Sequence, residues 1–397
     1  MSESIAPADL ADRLARGERT GVVDVRDRQE FEEWHVDGPG AEVHHVPHAK
    51  FLQAQVRGGA ADLVDDVPQP MVLVCAVGEA SGHAAELLRE AGLDAANLEG
   101  GMDAWADVAV ARPLSTPDGA NVRQYHRPAT GCLSYLLVDG HEAAVVDPLR
   151  AVVDRYVADA ADAGVDIRFA IDTHVHADHL SGVRRLAEAT DAEPVFPESA
   201  WERGLEAEAS ALGDGETLSI GTATTIEAVH APGHTTEMTA LHVRHGDAEE
   251  TATADGTGSV DSPGTLLSGD SLFVDGVARP DLEAEADAEA AAARLHETLG
   301  EFEDELPART LVAPGHVRPT TAPNNTGTYA APLEALLSTL AAFEQDREAF
   351  VASVTGDLPP PPANAEEIVA ANLGLAAVDD PESLELGPNN CAAGTAD

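Results

Sequence analysis

Short apolar runs recur along this chain, and clusters of Gly, Pro, Asp and Ser separate them. Gly21-Val22-Val23-Asp24-Val25 and Met71-Val72-Leu73-Val74-Cys75 predict buried strands. Asp27 to Trp34 and His83 to Ala91 predict helices. An acid opens the first, as the helix dipole favours, and Gly92 stops the second. Strands alternating with helices over residues 5–112 imply a small parallel α/β sheet. Residues 113–122, rich in Pro, Ser, Asp and Gly, predict a linker. A second α/β unit follows from Tyr125. Its signals are a hairpin of Tyr135-Leu136-Leu137-Val138 and Ala143-Ala144-Val145-Val146-Asp147 about Asp139-Gly140, then a helix from Ala151 to Ala163. His245 to Gly264 predicts a solvated insertion, Glu283 to Leu299 an Ala/Glu-rich helix, and Leu358 to Pro362 a stiff polyproline segment.

At 397 residues, with 44% hydrophobic and 4% aromatic residues, the chain has room for two or three aliphatic cores. The charge balance changes the picture. There are 71 acidic residues against 23 basic ones, a net charge of -48, and Lys50 is the lone lysine. Such a surface repels nucleic acid and anionic membranes, so neither is expected as a partner. Molar salt screens charges to within about 3 Å, and the acids are spread along the chain, so the expectation is a salt-adapted (halophilic) cytoplasmic protein. Cys75, Cys132 and Cys391 are odd in number and widely spaced, which argues against a disulfide scaffold. The start Met1-Ser2-Glu3-Ser4-Ile5 carries no signal-peptide pattern, and no apolar run approaches the length of a membrane span.

The densest chemistry lies in Thr173-His174-Val175-His176-Ala177-Asp178-His179-Leu180-Ser181-Gly182. Three imidazoles and a carboxylate crowd a loop that follows the apolar run Phe169-Ala170-Ile171. No folding requirement calls for that crowding. Ala231-Pro232-Gly233-His234-Thr235, Ser268-Gly269-Asp270-Ser271 and Ala313-Pro314-Gly315-His316 supply further donors. Imidazole and carboxylate suit zinc, iron and manganese. A metalloenzyme is the expectation.

This motif set resembles the metallo-β-lactamase superfamily, over roughly residues 120 to 345, and implies an αββα sandwich with metal at one sheet edge. The Gly233-His234-Thr235 and Ser268-Gly269-Asp270 contexts, Val277-Ala278-Arg279-Pro280-Asp281-Leu282, Glu348-Ala349-Phe350-Val351, the proline run and Ala370-Ala371-Asn372-Leu373-Gly374 are similar to the persulfide dioxygenase branch. That resemblance implies one Fe(2+) held by His174, His234 and Asp270, with three open positions, the ligand economy of a non-haem oxygenase. It implies that His176, Asp178, His179 and His316 orient ligands or tune bound water; in a two-zinc alternative they complete a two-metal site. Arg279 falls where the branch clamps the carboxylate of its thiol substrate. His316-Val317-Arg318 lacks the acid and tyrosine that often follow the last histidine, which points away from glutathione toward another small thiol.

Cys75 ends an apolar strand, and Ala76-Val77-Gly78-Glu79-Ala80-Ser81-Gly82 leads into a helix. Backbone N–H groups and a helix N-terminus there favour a thiolate. Val22-Val23-Asp24-Val25-Arg26, Glu30 to Gly38 and Asn97-Leu98-Glu99-Gly100-Gly101-Met102-Asp103-Ala104-Trp105 resemble a rhodanese domain. The family's active loops carry arginines, whereas this one has Ala76, Glu79 and Ala80. Weak binding of thiosulfate is therefore expected.

The expected organisation is a rhodanese-like parallel α/β domain at 5–112, a linker at 113–122, and a metallo-β-lactamase-fold domain with a dioxygenase-like tail at 123–397. The expected reaction is oxidation of a small thiol persulfide by dioxygen to sulfite and thiol, with Cys75 moving sulfane sulfur. A homodimer is compatible with the sequence. One alternative is a dinuclear thiolester hydrolase of the glyoxalase II kind, although no Lys or Arg follows Arg347 to build its basic thiol clamp. The other is a non-enzymatic sulfur carrier or sensor.

Overall fold

The computed structural model describes residues 3–246, 263–283, 287–356, 358, 360–378, 384–385 and 391–393. The predicted acidic insertion lies mostly outside these, and the proline run partly so.

The first unit is a five-stranded sheet ordered Ser4–Ile5, Ala95–Leu98, Met71–Val74, Thr20–Asp24, Ala41–His45. Every neighbouring pair is parallel. Its central strands are buried on both faces, which is why they read as continuous apolar runs. The helix Arg28–Glu33 opens with a capping box: Asp27 accepts from Glu30 N and the Glu30 side chain accepts from Asp27 N. The helix expected from His83 begins earlier and spans Glu79–Glu90. Gly78 sits in the left-handed region at its start, and the glycine and serine that follow hide the helical pattern from a sequence reading.

The stretch 113–122 is not a free linker. Val110–Leu114 pairs antiparallel with Asn121–Arg127, so this composition marks the turn of a hairpin. Val110–Leu114 is an edge strand, where Pro113 is tolerated.

Two sheets build the second unit. The first is seven-stranded, ordered Ser210–Leu212, Glu193–Pro197, Asp166–Ile171, Glu142–Val146, Cys132–Asp139, Asn121–Arg127, Val110–Leu114. The second is six-stranded, ordered Thr217–Ile220, Thr224–His230, Thr239–His245, Thr265–Gly269, Leu311–Pro314, Ala331–Pro332. Period-two alternation decides which face each side chain takes. Leu133, Tyr135 and Leu137 point between the sheets to meet Ile226, Leu241, Val243 and Leu267. Cys132, Leu136 and their neighbours point outward under the helices Val153–Ala163 and Val183–Thr190. Helices Ala288–Glu305, Leu333–Thr339 and Arg347–Gly356 cover the outer face of the second sheet. The order is helix, sheet, sheet, helix, a mixed α/β sandwich. Cys132–Asp139 and Glu142–Val146 form the expected hairpin, with Asp139 opposite Glu142 and Gly140 at φ 60°. Among the described residues no helix is long and apolar enough to cross a membrane.

The two units touch. Trp34 Nε1 donates to Ala129 O at 3.2 Å, and Arg127 Nε donates to Ala106 O at 2.7 Å.

Candidate metal centre

Strand Asp166–Ile171 ends at the core, and the chain turns into the histidine loop. Several distant side chains then satisfy that loop's backbone, as buried polar groups require. Asp147, in the left-handed region at φ 48°, accepts from Thr173 N at 2.7 Å and from Thr173 Oγ1 at 3.1 Å. Glu237 accepts from Val175 N at 2.8 Å and from Arg203 Nη1 at 2.5 Å. Glu385 accepts from Leu180 N at 2.8 Å and pairs with Arg127. Asn372 accepts from Ser181 N and donates to both His176 O and His179 O, each bond 2.9 Å long.

His174, His234 and Asp270 come together here. Their donor atoms lie within 4.8 Å of one another and all three side chains are buried. His234 Nδ1 donates to the Arg279 carbonyl at 2.9 Å, which leaves Nε2 as the lone-pair nitrogen. His174 Nδ1 lies 3.0 Å from Thr173 Oγ1. Burial, then His176 and His234, pushes the His174 imidazole well below its ordinary value, so it is neutral and able to ligate. Among the described residues neither His174 Nε2 nor His234 Nε2 has a hydrogen-bond partner. Buried nitrogens left unpaired and aimed at one carboxylate fit a bound cation.

The glycines before His234 and Asp270 have a steric reason. Gly233 has φ 145°, and a Cβ there would lie 2.6 Å from Leu295 Cα. Gly269 has φ 48°, and a Cβ would meet Met238 Cε at 2.2 Å and Thr173 Oγ1 at 2.8 Å. The Gly-His and Gly-Asp spellings therefore let two loops approach a packed helix and the histidine loop.

The other candidates divide. Asp178 Oδ1 lies 3.0 Å from His179 Nδ1, and Asp178 Oδ2 lies 3.7 Å from His316 Nδ1. Burial opposes ionisation of Asp178, but His179 and His316 beside it hold its carboxyl well below the usual range. His176 instead faces Asp147 at 3.3 Å and Asp172 at 3.6 Å. Burial disfavours its charged form, and the two carboxylates outweigh that and raise the imidazole well above its ordinary value. Arg279 is buried, with Nε and Nη2 on the Asp281 carboxylate at 2.7 and 2.8 Å and Nη1 donating to Pro360 O at 3.0 Å. Its guanidinium fork is directed at this chain's own acid, and its carbonyl orients His234.

Sequence reasoning passed over Asp147, Asp172, Glu237, Asn372 and Glu385 as parts of this centre. Asp172 and Asp147 carried a signal, an acid closing an apolar strand; the other three did not. It also passed over two thiols. Cys132, with Asp178 and His179, and Cys391, with Asp178 and His316, form further donor groups within 4.8 Å. Burial, then Asp178, pushes both thiols well above their ordinary values.

Cys75 lies at the end of Met71–Val74, 5% exposed. Gly78 N donates to its sulfur at 3.1 Å, and Ser81 Oγ lies at 3.1 Å from the sulfur and 2.7 Å from Asn97 Oδ1. Met102 N donates to the Cys75 carbonyl at 2.9 Å and fixes the loop. Arg26, two residues past the strand Thr20–Asp24, is spent on Asp24 at 2.6 Å and on the Trp34 carbonyl. Val77, two residues after Cys75, lines a cleft at the seam with Met102, Arg127, Arg150 and Glu385.

Comparison with known proteins agrees with this division. The family model of the rhodanese-like domain matches residues 6–107, and that of the metallo-beta-lactamase superfamily matches residues 127–316. Over 94 residues the chain is 32% identical to the thiosulfate sulfurtransferase GlpE of Shewanella oneidensis, covering 23% of this chain and 82% of that protein. It is 27% identical over 262 residues to the cytoplasmic hydroxyacylglutathione hydrolase of Arabidopsis thaliana, covering 64% and 86% respectively. It is 25% identical over 200 residues to the mitochondrial persulfide dioxygenase ETHE1 of Mus musculus, covering 49% and 67%. Other curated relatives are spanned over 55% and 24% of their length. Among solved structures, a metallo-beta-lactamase from Staphylococcus aureus superposes with TM-score 0.54 at 24% identity, covering 66% of this chain and 74% of that one. ETHE1 from Myxococcus xanthus gives 0.50 at 23%, covering 64% and 99%, so both share the fold. From the two matched regions and the helix–sheet–sheet–helix layering over the buried histidine loop, the chain carries a rhodanese-like domain followed by a metallo-beta-lactamase domain.

Proposed function

We propose that the protein is an iron-dependent dioxygenase of a small thiol persulfide. The observation that carries this reading is the His174–His234–Asp270 group, two imidazoles with unpartnered Nε2 atoms and one carboxylate, all buried. Two histidines and one carboxylate suit iron with open positions, and bound iron would supply the redox chemistry and a place where persulfide and dioxygen meet. Similarity to persulfide dioxygenase over half of the chain supports the same reading.

In this reaction the outer sulfur of the persulfide leaves as sulfite and the inner sulfur as thiol. Dioxygen accepts the electrons that the outer sulfur loses, and water supplies the remaining oxygen. This chain's residues hold the geometry. The Arg279 carbonyl keeps His234 in one tautomer, and Asn372 and Glu385 hold the loop. Metal analysis with an oxygen electrode tests the proposal: about one iron per chain and persulfide-dependent oxygen uptake are expected. Uptake that survives complete removal of metal would refute it.

The rhodanese-like domain is proposed to pass sulfane sulfur through Cys75. The Gly78 amide and Ser81 hydroxyl would hold the sulfur anion. With Ala76, Glu79 and Ala80 in place of arginines, the sulfur donor is a small thiol persulfide, which leaves as the thiol, rather than the thiosulfate dianion.

A second reading rests on Asp178, His179 and His316, whose donors stand beside the triad, and on the hydroxyacylglutathione hydrolase similarity. There, two zinc ions would serve thiolester cleavage. Two zinc ions per chain, with hydrolysis and no oxygen uptake, would favour it.

A further inference from the structure

An open cleft of about 850 Å³ lies at the seam between the two units. Val77, Gly100 and Met102 line it from the Cys75 side. Val77 is apolar yet 54% exposed. The Gly100–Asp103 turn is bonded to the Cys75 loop: Met102 N donates to Cys75 O at 2.9 Å, and Asp103 N donates to Ala76 O at 3.0 Å. From the second unit come Arg127, Arg150 and Arg185, three of only 23 basic residues in the chain. Two of them are taken. Arg127 pairs with buried Glu385, and Arg185 Nη2 donates to Asp154 Oδ1 at 2.8 Å. Among the described residues the half-buried Arg150 guanidinium has neither a hydrogen-bond nor an ion-pair partner. Its backbone is fixed on both sides. Arg150 N donates to Leu180 O at 3.0 Å, and Arg150 O accepts from Arg185 Nη1 at 3.0 Å. A held main chain thus presents one uncommitted cation to the cleft.

We propose that this cleft binds a small thiol persulfide that carries a carboxylate, with the carboxylate on Arg150 and the carbon chain against Val77, and that it delivers sulfur to Cys75. The delivery rests on the sulfur-transfer reading of Cys75. A guanidinium fork matches a planar carboxylate. Asp103, Asp107, Asp154 and Glu385 line the same walls, which disfavours a compact dianion, whereas one carboxylate can pair with Arg150 alone. An arginine of the second unit thereby stands in for those that Ala76, Glu79 and Ala80 replace in the loop. In the loading step the Cys75 thiolate attacks the outer sulfur and the persulfide's sulfur–sulfur bond breaks. The small thiolate leaves and takes up the proton that Cys75 gave. One sulfur–sulfur bond replaces another, so no oxidant is consumed.

Two measurements test this on the full chain. N-acetylcysteine persulfide and the persulfide of its amide differ in the carboxylate alone. For the acid, Arg150→Gln is expected to raise the KM of loading, read from the mass of the Cys75 peptide, by about tenfold or more. Arg150→Lys should recover part of that loss, and the KM for the amide should not move. An equal rise for both compounds, or none for either, overturns the proposal. The second measurement uses Cys75→Ser, in which no transfer occurs. Calorimetry is expected to show N-acetyl-S-methylcysteine binding about tenfold more tightly than when Arg150→Gln is added. No binding, or binding indifferent to Arg150→Gln, rejects the site. If Cys75 loads from neither persulfide while this binding persists, the sulfur-transfer reading falls and the carboxylate site stands.

Discussion

The main-chain oxygen of Arg279 accepts the Nδ1 proton of His234 at 2.9 Å. The same residue's amide donates to Cys391 O, so one peptide segment orients a candidate ligand and anchors the returning tail. His234→Ala removes that ligand. Iron content and oxygen uptake are expected to fall by more than the ~10–100-fold typical of losing an outer partner. Elemental analysis and an oxygen electrode check this, and retained iron with turnover would contradict the assignment.

Asn372 ties His176, His179 and Ser181 together by its side-chain amide. Asn372→Ala leaves buried backbone groups unpaired at about 1–3 kcal/mol each. Lower stability in urea and metal affinity weakened by roughly 10–100-fold in a chelator competition are the expected outcomes.

Cys75→Ser is expected to abolish transfer of sulfane sulfur while oxygen uptake continues, because Cys75 sits in the other unit from the triad. Ser81→Ala should slow transfer without ending it, since the Gly78 amide still reaches the sulfur. Transfer at full rate in Cys75→Ser would remove Cys75 from the role.

Asp139 accepts from Thr222, Ala223 and Thr224 amides at 2.9, 2.7 and 3.1 Å and so fastens the hairpin turn to the second sheet. Burial opposes its ionisation, but these amides outweigh it and lower its carboxyl below the ordinary range. The unfolded chain therefore takes up this proton at higher pH than the folded one. The contribution is complete above the ordinary carboxylate range and is lost as pH falls through the folded value. Asp139→Asn should flatten the acid limb of a stability–pH curve. An acid limb identical to that of the unaltered protein would show that Asp139 contributes nothing.

With a net charge of -48, self-repulsion is expected to dominate in dilute buffer. The unfolding temperature should climb as potassium chloride rises toward molar strength, where screening acts within about 3 Å. A fold and activity unchanged in salt-free buffer would dismiss salt adaptation.

The histidine loop was legible because its four donors fall within six consecutive positions, and Gly-His, Gly-Asp and Gly-His spellings named their partners. The sandwich was legible from apolar runs and the Asp139-Gly140 turn. Composition misled at 113–122, since an edge strand accepts Pro113 and looks like a linker. Asn372, Glu385 and Cys391 could not be read as part of the centre. Their role depends on contacts from 75 to 213 positions distant in sequence, and no local periodicity records such contacts.

Those contacts bear on how the gene is cut. A fragment limited to residues 127–316 would contain every imidazole and acid of the triad. It would lack the amide of Asn372 and the carboxylate of Glu385, which hold the loop's peptide groups from outside. Such a fragment would own the donors and lose the scaffold that aims them, so a failure to retain metal in it would say nothing against the residues themselves.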